Sequence, residues 1–299
     1  FRSLFAPLPV LQRNEERWFW FFIAPFLVGF LLFALLPLIA SLALSFMDWN
    51  LRGTPKIVGL ENYADLVNLE GKGRLVLKAF SNTVMITVIA VPLQLAIGMA
   101  FAVLLNQRVR GMAIYRMAFY LPTVVSGVAT AALWTWILGT EGLLNKGLAL
   151  IGVDGPAWFN EPESVRWGIV FMLVWAGTGG MTLIFLAGLQ GIDRTVLEAA
   201  KVDGAGPIAS LLRVRLPLLS PTIFFSVVVA AISSLQTFDS VYILTKNGGP
   251  QDATRTIVIH VYDLGFHRFE FGASSAAALL LLVLTLGVTL AQFALQRRY

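Results

Sequence analysis

The sequence predicts an all-α integral membrane protein built on six transmembrane helices, and three observations lead there. Hydrophobic residues make up 57% of the 299 and charged residues only 13%, with a mean hydropathy of +0.77, well above an ordinary soluble domain. The charges are spaced so that six uncharged or nearly uncharged stretches remain, each long enough for the roughly 20 residues a helix needs to cross hydrocarbon. The polar segments between them are too short to fold alone, so one transmembrane domain is expected over 1–299. A lipid-exposed backbone must pair its own N–H and C=O groups. Stretches this long do not alternate as barrel strands do, so they read as helices.

The spans fall near residues 18–47, 79–106, 117–139, 167–190, 217–243 and 272–296. The first follows Arg13 and Arg17 and so resembles a secretion signal, but it far exceeds a signal's apolar core of about 7 to 15 residues and is read as a retained span. Because the chain opens on Phe1, a preceding tail is expected. Pro25, Pro37, Pro92 and Pro122 interrupt spans 1, 2 and 3 and predict kinks, each removing one backbone hydrogen bond. In span 4, Ala176-Gly177-Thr178-Gly179-Gly180 and the pair Ala187 and Gly191 supply small residues for close helix approach. Trp134 and Trp136 of span 3 are read as interfacial anchors.

Charge placement orients the bundle weakly. Cytoplasmic termini put just over half of the 22 basic residues inside, among them Arg2, Arg13, Arg108, Arg297 and Arg298. Two local contrasts support the same orientation. The short loop after span 2 is basic without an acid, whereas the loop after span 3 carries Lys146 against Glu141, Asp154, Glu161 and Glu163. The net charge of +5 then serves contact with anionic lipid, and no basic cluster is dense enough for nucleic acid. With no cysteine, disulfides and thiol metal sites are excluded.

The polar loop 193–216 between spans 4 and 5 has the most specific pattern. Glu198 and Lys201 stand at i and i+3 on a predicted helix, with Ala199 and Ala200 presenting a low-profile surface. Asp203-Gly204-Ala205-Gly206-Pro207 should break that helix, Gly204 by its conformational freedom and Pro207 by starting a second short helix. That second helix is expected to run to about Val214 before Leu216-Pro217 leads back into the membrane.

Glu198-Ala199-Ala200, three residues, Gly204, nine residues, Val214, one residue, then Leu216-Pro217 resembles the EAA loop of ATP-binding-cassette (ABC) importer permeases. The likeness extends along most of the chain to the carbohydrate-importer branch. Its further marks are Met47-Asp48-Trp49-Asn50, Gly59-Leu60-Glu61-Asn62-Tyr63, Phe119-Tyr120-Leu121-Pro122, Gly142-Leu143-Leu144-Asn145, and Leu244-Thr245 with Gly248-Gly249-Pro250 and Thr254. Lys246-Asn247 departs from the branch pattern. The resemblance implies a type I importer transmembrane domain in a prokaryotic cytoplasmic membrane, working by alternating access. It also implies a coupling surface formed by Glu198, Ala199, Ala200, Asp203, Gly204, Ala205, Leu216 and Pro217. The implied partners are a second homologous permease, two ABC ATPase subunits that bind ATP and Mg, and an extracytoplasmic binding protein. No cofactor is expected in this chain, which lacks Gly-x-x-x-x-Gly-Lys-[Ser/Thr].

Intramembrane polar residues suggest where a sugar-like solute passes. Ser233, Gln236, Thr237 and Ser240 are expected on one face of span 5, and Thr123, Ser126 and Thr130 form a stripe on span 3. Hydroxyls and amides suit sugar hydroxyl groups, and hydrogen bonding between helices accounts for the same stripes. Asp239 is the one acid within an apolar stretch. Two rival classes fit the sequence less well. An ion-coupled secondary transporter usually has more spans, internal repeats and buried ionisable groups. An intramembrane hydrolase needs a Ser–His pair, yet Ser126 lacks the nucleophile pattern and His260 and His267 lie outside the apolar stretches. Those two histidines have no third ligand and make a poor metal site.

Overall fold

The computed structural model describes residues 10–296 apart from 52, 108 and 109, with side chains from Glu15 onward. Arg2, Arg13, Arg108, Arg297 and Arg298, used above for orientation, lie outside the described residues or side chains. Helix dominates throughout. Helix α1 (Val10–Phe30) passes through a π-helical turn (Leu31–Leu35) into α2 (Leu36–Leu44). The widened turn sits just before Pro37, whose missing N–H removes one rung of the regular helical ladder. The apolar window of this first span is wholly unburied by the rest of the chain, with Phe22 and Phe33 73% and 83% exposed.

A two-residue hairpin follows, β1 (Met47–Asp48) antiparallel to β2 (Lys56–Ile57), and leads to the short α3 (Glu61–Val67). Asn62 ties this corner together, donating through Nδ2 to the carbonyls of Ser45 and Met47 at 2.9 Å each. The long helices α4 (Gly73–Leu105) and α8 (Pro162–Gln190) form the central pair of the bundle. The small residues of span 4 act as expected at two positions. A Cβ on Gly179 would stand 2.6 Å from the carbonyl oxygen of Phe119, and one on Gly177 would stand 2.7 Å from Cδ of Gln94. Gly191 meets only its own helix within 4 Å, so it marks no crossing.

Span 3 is not one helix. Helices α5 (Met112–Val124) and α6 (Gly127–Ile137) meet at 102°, with Val125 and Ser126 extended between them. Pro122 weakens the last turn of α5, and the Ser126 hydroxyl accepts from the N–H of Ala129 to start α6 afresh. Trp134 is not an interfacial anchor: it is 9% exposed and packs edge-on against Trp175, leaving Trp136 outside. From the short α7 (Leu143–Leu150), Asn145 donates to the carbonyls of Thr140 and Pro156 and accepts from the Trp158 indole, fixing the loop before α8.

Span 5 is also broken. The loop helix α9 (Arg194–Val202) is followed by α10 (Pro207–Ser210), a π-turn (Leu211–Arg215) and α11 (Leu216–Leu218), which then meet α12 (Ser220–Leu235) at 69°. The second helical leg therefore continues past Val214 to Leu218. Again a π-turn precedes the proline, here Pro217. Helix α12 ends at Leu235, and α13 (Asp239–Thr245) restarts after Gln236, Thr237 and Phe238, so the continuous polar face expected on span 5 does not form. Four left-handed residues, Lys246 through Gly249, turn the chain back. The loop then dips into the bundle as α14 (Ile257–Tyr262) before α15 (Phe271–Gln296). Asn82 donates to the carbonyls of Asp252 and Arg255, Thr83 accepts from the buried N–H of Ile257, and Arg166 donates to the carbonyl of Ala253.

Candidate functional site

The breaks in spans 3 and 5 open onto one cavity of about 390 Å³. Thr123, Gly127 and Thr130 line it from span 3, and Ser233, Ser234, Thr237 and Ser240 line it from span 5. Helix α8 supplies Leu173, Ala176, Gly177, Gly180 and Met181, and α4 supplies Gln94. The wall is therefore hydroxyls and one amide on an apolar background, with no charged side chain in the lining. Thr130 is 2% exposed, and Thr123 donates back to the carbonyl of Tyr120 at 2.7 Å. Ser234 pairs with Thr87 of α4 at 3.0 Å, joining spans 2 and 5.

The structure thus brings Thr123, Thr130, Ser233, Thr237 and Ser240 together from two discontinuous helices. Gln236 stands apart, exposed at the end of α12 and outside the lining. Ser126 is occupied as the cap of α6. Asp239 sits beside the cavity, its Cβ 3.2 Å from where a Cβ on Gly127 would lie. Gln94 was not singled out from the sequence, because one amide in a long apolar run gives no periodic signal.

At the loop end, Asp193 caps α9 by accepting from the N–H of Thr195 at 2.9 Å, which holds its carboxyl below the usual range. Gly204 is left-handed at φ +79°, its N–H donating to Lys201 and that of Ala205 to Ala200. This pair of bonds is a Schellman closure and gives the spacing of the motif a mechanical meaning. Glu198, Ala199, Asp203, Gly204 and Pro217 are exposed, while Ala200, Ala205 and Leu216 are half-buried. Val202 and Ile208 add apolar surface, 87% and 74% exposed. Leu219, 2% exposed among Phe185 and Leu189, anchors the return leg on α8.

The opposite end holds a polar cluster that sequence reading missed. Asp263 meets Arg268 at 3.1 Å, Arg255 at 3.4 Å and His267 at 3.1 Å. Burial raises its pKa, but the His267 hydrogen bond and the two guanidiniums outweigh that and hold the carboxyl low. His260 is 2% exposed with neither ring nitrogen hydrogen-bonded. Burial, reinforced by Arg255 and Arg268, pushes its pKa down to about 4.

Residues 72–299 match the family described as binding-protein-dependent transport system inner membrane component. The probable ABC transporter permease protein YesP of Bacillus subtilis (strain 168) is 39% identical, over 91% of this chain and 88% of its own length. The lactose transport system permease protein LacF of Rhizobium radiobacter is 32% identical over 92% and 93%. The trehalose/maltose transport system permease protein MalF of Thermococcus litoralis is also 32% identical, over 94% of both. In fold, the chain matches a subunit of a bacterial alginate ABC transporter solved with an alginate pentasaccharide-bound periplasmic protein, with a TM-score of 0.82, 21% identity and 97% of both chains covered. Multi-pass architecture, fold and sequence agree: the chain belongs to the binding-protein-dependent transport system inner membrane component family.

Proposed function

We propose that this permease subunit passes a neutral carbohydrate through the cavity between the broken spans 3 and 5. The observation that carries this reading is the wall chemistry, hydroxyls and an amide without a charged side chain, matched to a solute that is all hydroxyl groups. Lactose, trehalose/maltose and alginate appear in the names of relatives and of the fold match, which supports a sugar class. The lack of lysine or arginine in the wall favours neutral sugars over acidic ones.

The drive comes from outside this chain. The surface of Glu198, Ala199, Asp203 and Gly204, with the half-buried Ala200 and Ala205 and continued through Leu216 and Pro217, docks on an ABC ATPase that binds ATP and Mg. One chain carries one such loop, whereas a pair of ATPases offers two grooves, so a second homologous permease completes the assembly. The unburied first span offers apolar surface for that neighbour. The loop end and both termini face the cytoplasm, and an extracytoplasmic binding protein delivers solute to the other end. ATP binding draws the loops together and opens the cavity outward, and hydrolysis resets it.

Proteoliposomes test this. Sugar should accumulate against its gradient only with ATPase subunits and ATP present, and accumulation without them overturns the reading. Ser233→Leu should fill the cavity and abolish uptake while the ATPase still copurifies; undiminished uptake removes the cavity from the path.

A further inference from the structure

We propose that Gln94 contacts the solute directly, a role that rests on the cavity being the solute path. Gln94 is the single residue that α4 contributes to the wall. It stands within an apolar run, where an amide is costly unless it is paired or faces a cavity. Its Nε2 donates to the carbonyl of Leu173 at 2.9 Å, which pins the head group and leaves Oε1 and one N–H for another partner.

The neighbouring helix is shaped around that head group. A Cβ on Gly177 would lie 2.7 Å from both Cδ and Nε2 of Gln94 and 2.9 Å from Oε1, so only glycine lets the amide lie flat against α8 at the wall. Two of the other polar groups of the wall are engaged with the protein: Ser234 with Thr87, and Thr123 with the carbonyl of Tyr120. A pinned amide keeps its remaining acceptor and donor in fixed directions, which suits a hydroxyl that gives one hydrogen bond and takes another. An amide that only joined α4 to α8 would be satisfied by Leu173 and closed off from the cavity. Here Leu173, Gly177 and Gln94 all line it.

The chain has no cysteine, so it adds no thiol background of its own to a single introduced cysteine. The test uses the complete assembly with its ATPase subunits in proteoliposomes, treated with 2-aminoethyl methanethiosulfonate. Gln94→Cys and Ser233→Cys should be modified at similar rates, while Ile86→Cys, buried on the same helix, should react at least about tenfold more slowly because modification follows access to the thiolate. Modification of Ser233→Cys but not Gln94→Cys overturns the role of Gln94 and leaves the cavity standing as the path. Failure of both overturns the cavity as a water-filled path and the inference with it. Gln94→Met keeps the bulk and removes the polar atoms. For whichever of maltose, trehalose or lactose the unaltered assembly accumulates, this variant should raise KM about tenfold in an assembly that still copurifies with its ATPase subunits. An unchanged KM overturns solute contact.

Discussion

Gly179 and His260 show how single positions set the tolerance of this bundle. At Gly179 even a methyl group would meet the Phe119 carbonyl oxygen at 2.6 Å and Thr123 Cγ2 at 2.8 Å. Since backbone oxygen cannot give way as a side chain can, Gly179→Ala should push α5 from α8 and cost about 1–3 kcal/mol, read as a lower thermal midpoint in detergent. Gly191→Ala, open on its outer side, should leave the midpoint unchanged. His260 takes up its proton at lower pH than an ordinary histidine. Its folded pKa of about 4 lies below the ordinary 6.5, so between those values the unfolded chain binds more protons. Stability is therefore full above pH 6.5 and is lost as pH falls toward 4, by up to about 3 kcal/mol. Asp263, held below 3.8, adds a further loss only at lower pH. His260→Leu should flatten the decline between pH 6.5 and 4 in a thermal-midpoint series, and an unchanged slope would assign it to another group.

Among the elements, the two loops that leave the bundle differ in what holds them. The loop end depends on its own backbone: Gly204 closes α9 at φ +79°, where a side chain is strained by roughly 1–2 kcal/mol. Gly204→Val should reduce ATPase copurification and cost the isolated chain at least that backbone strain, with no clash added to it, since no other residue packs within 4 Å of that position. The re-entrant α14 depends instead on α4. Thr83→Val removes the hydroxyl that accepts from the buried N–H of Ile257 and should destabilise the chain by about 1–3 kcal/mol.

The same contrast explains what was legible in the sequence. Spans could be read because charge-free length is a property of the chain alone, and the α9 turn because Gly204 and Pro207 act locally. The breaks at Ser126 and at Gln236–Phe238 were not legible, because apolar composition continues through them. What decides there is competition between a capping hydroxyl or a neighbouring helix and the regular ladder. Trp134 was misread for a related reason: its neighbour Trp175 is distant in sequence. Asn82, Thr83 and Gln94 gain meaning only through partners more than seventy residues away.

The whole molecule is asymmetric in its burial. Helices α4 and α8 are packed on several sides, yet the first span touches α15 through α2 and is otherwise largely exposed, as if cut from a larger core. Phe22→Ala with Phe33→Ala should leave the thermal midpoint of the isolated chain nearly unchanged, because both rings are mostly exposed and the ring contacts of Phe22 are with Trp18 and Phe21 of its own helix. On coexpression the same pair should lower the yield of an assembly containing a second permease. Equal yields would place the membrane interface elsewhere.

The 69° corner at Leu219 has a mechanical corollary. Pro207–Leu218 forms a strut about 18 Å long at 1.5 Å per residue, pivoting where Leu219 is wedged against α8. Swinging that strut by about 10° displaces its outer tip by roughly 3 Å, while the pivot itself hardly travels. Beyond the pivot, α12 runs straight to Ser233 and Ser234. A push of a few ångströms at the tip thus reaches the hydroxyl-lined hollow as torque on one rod.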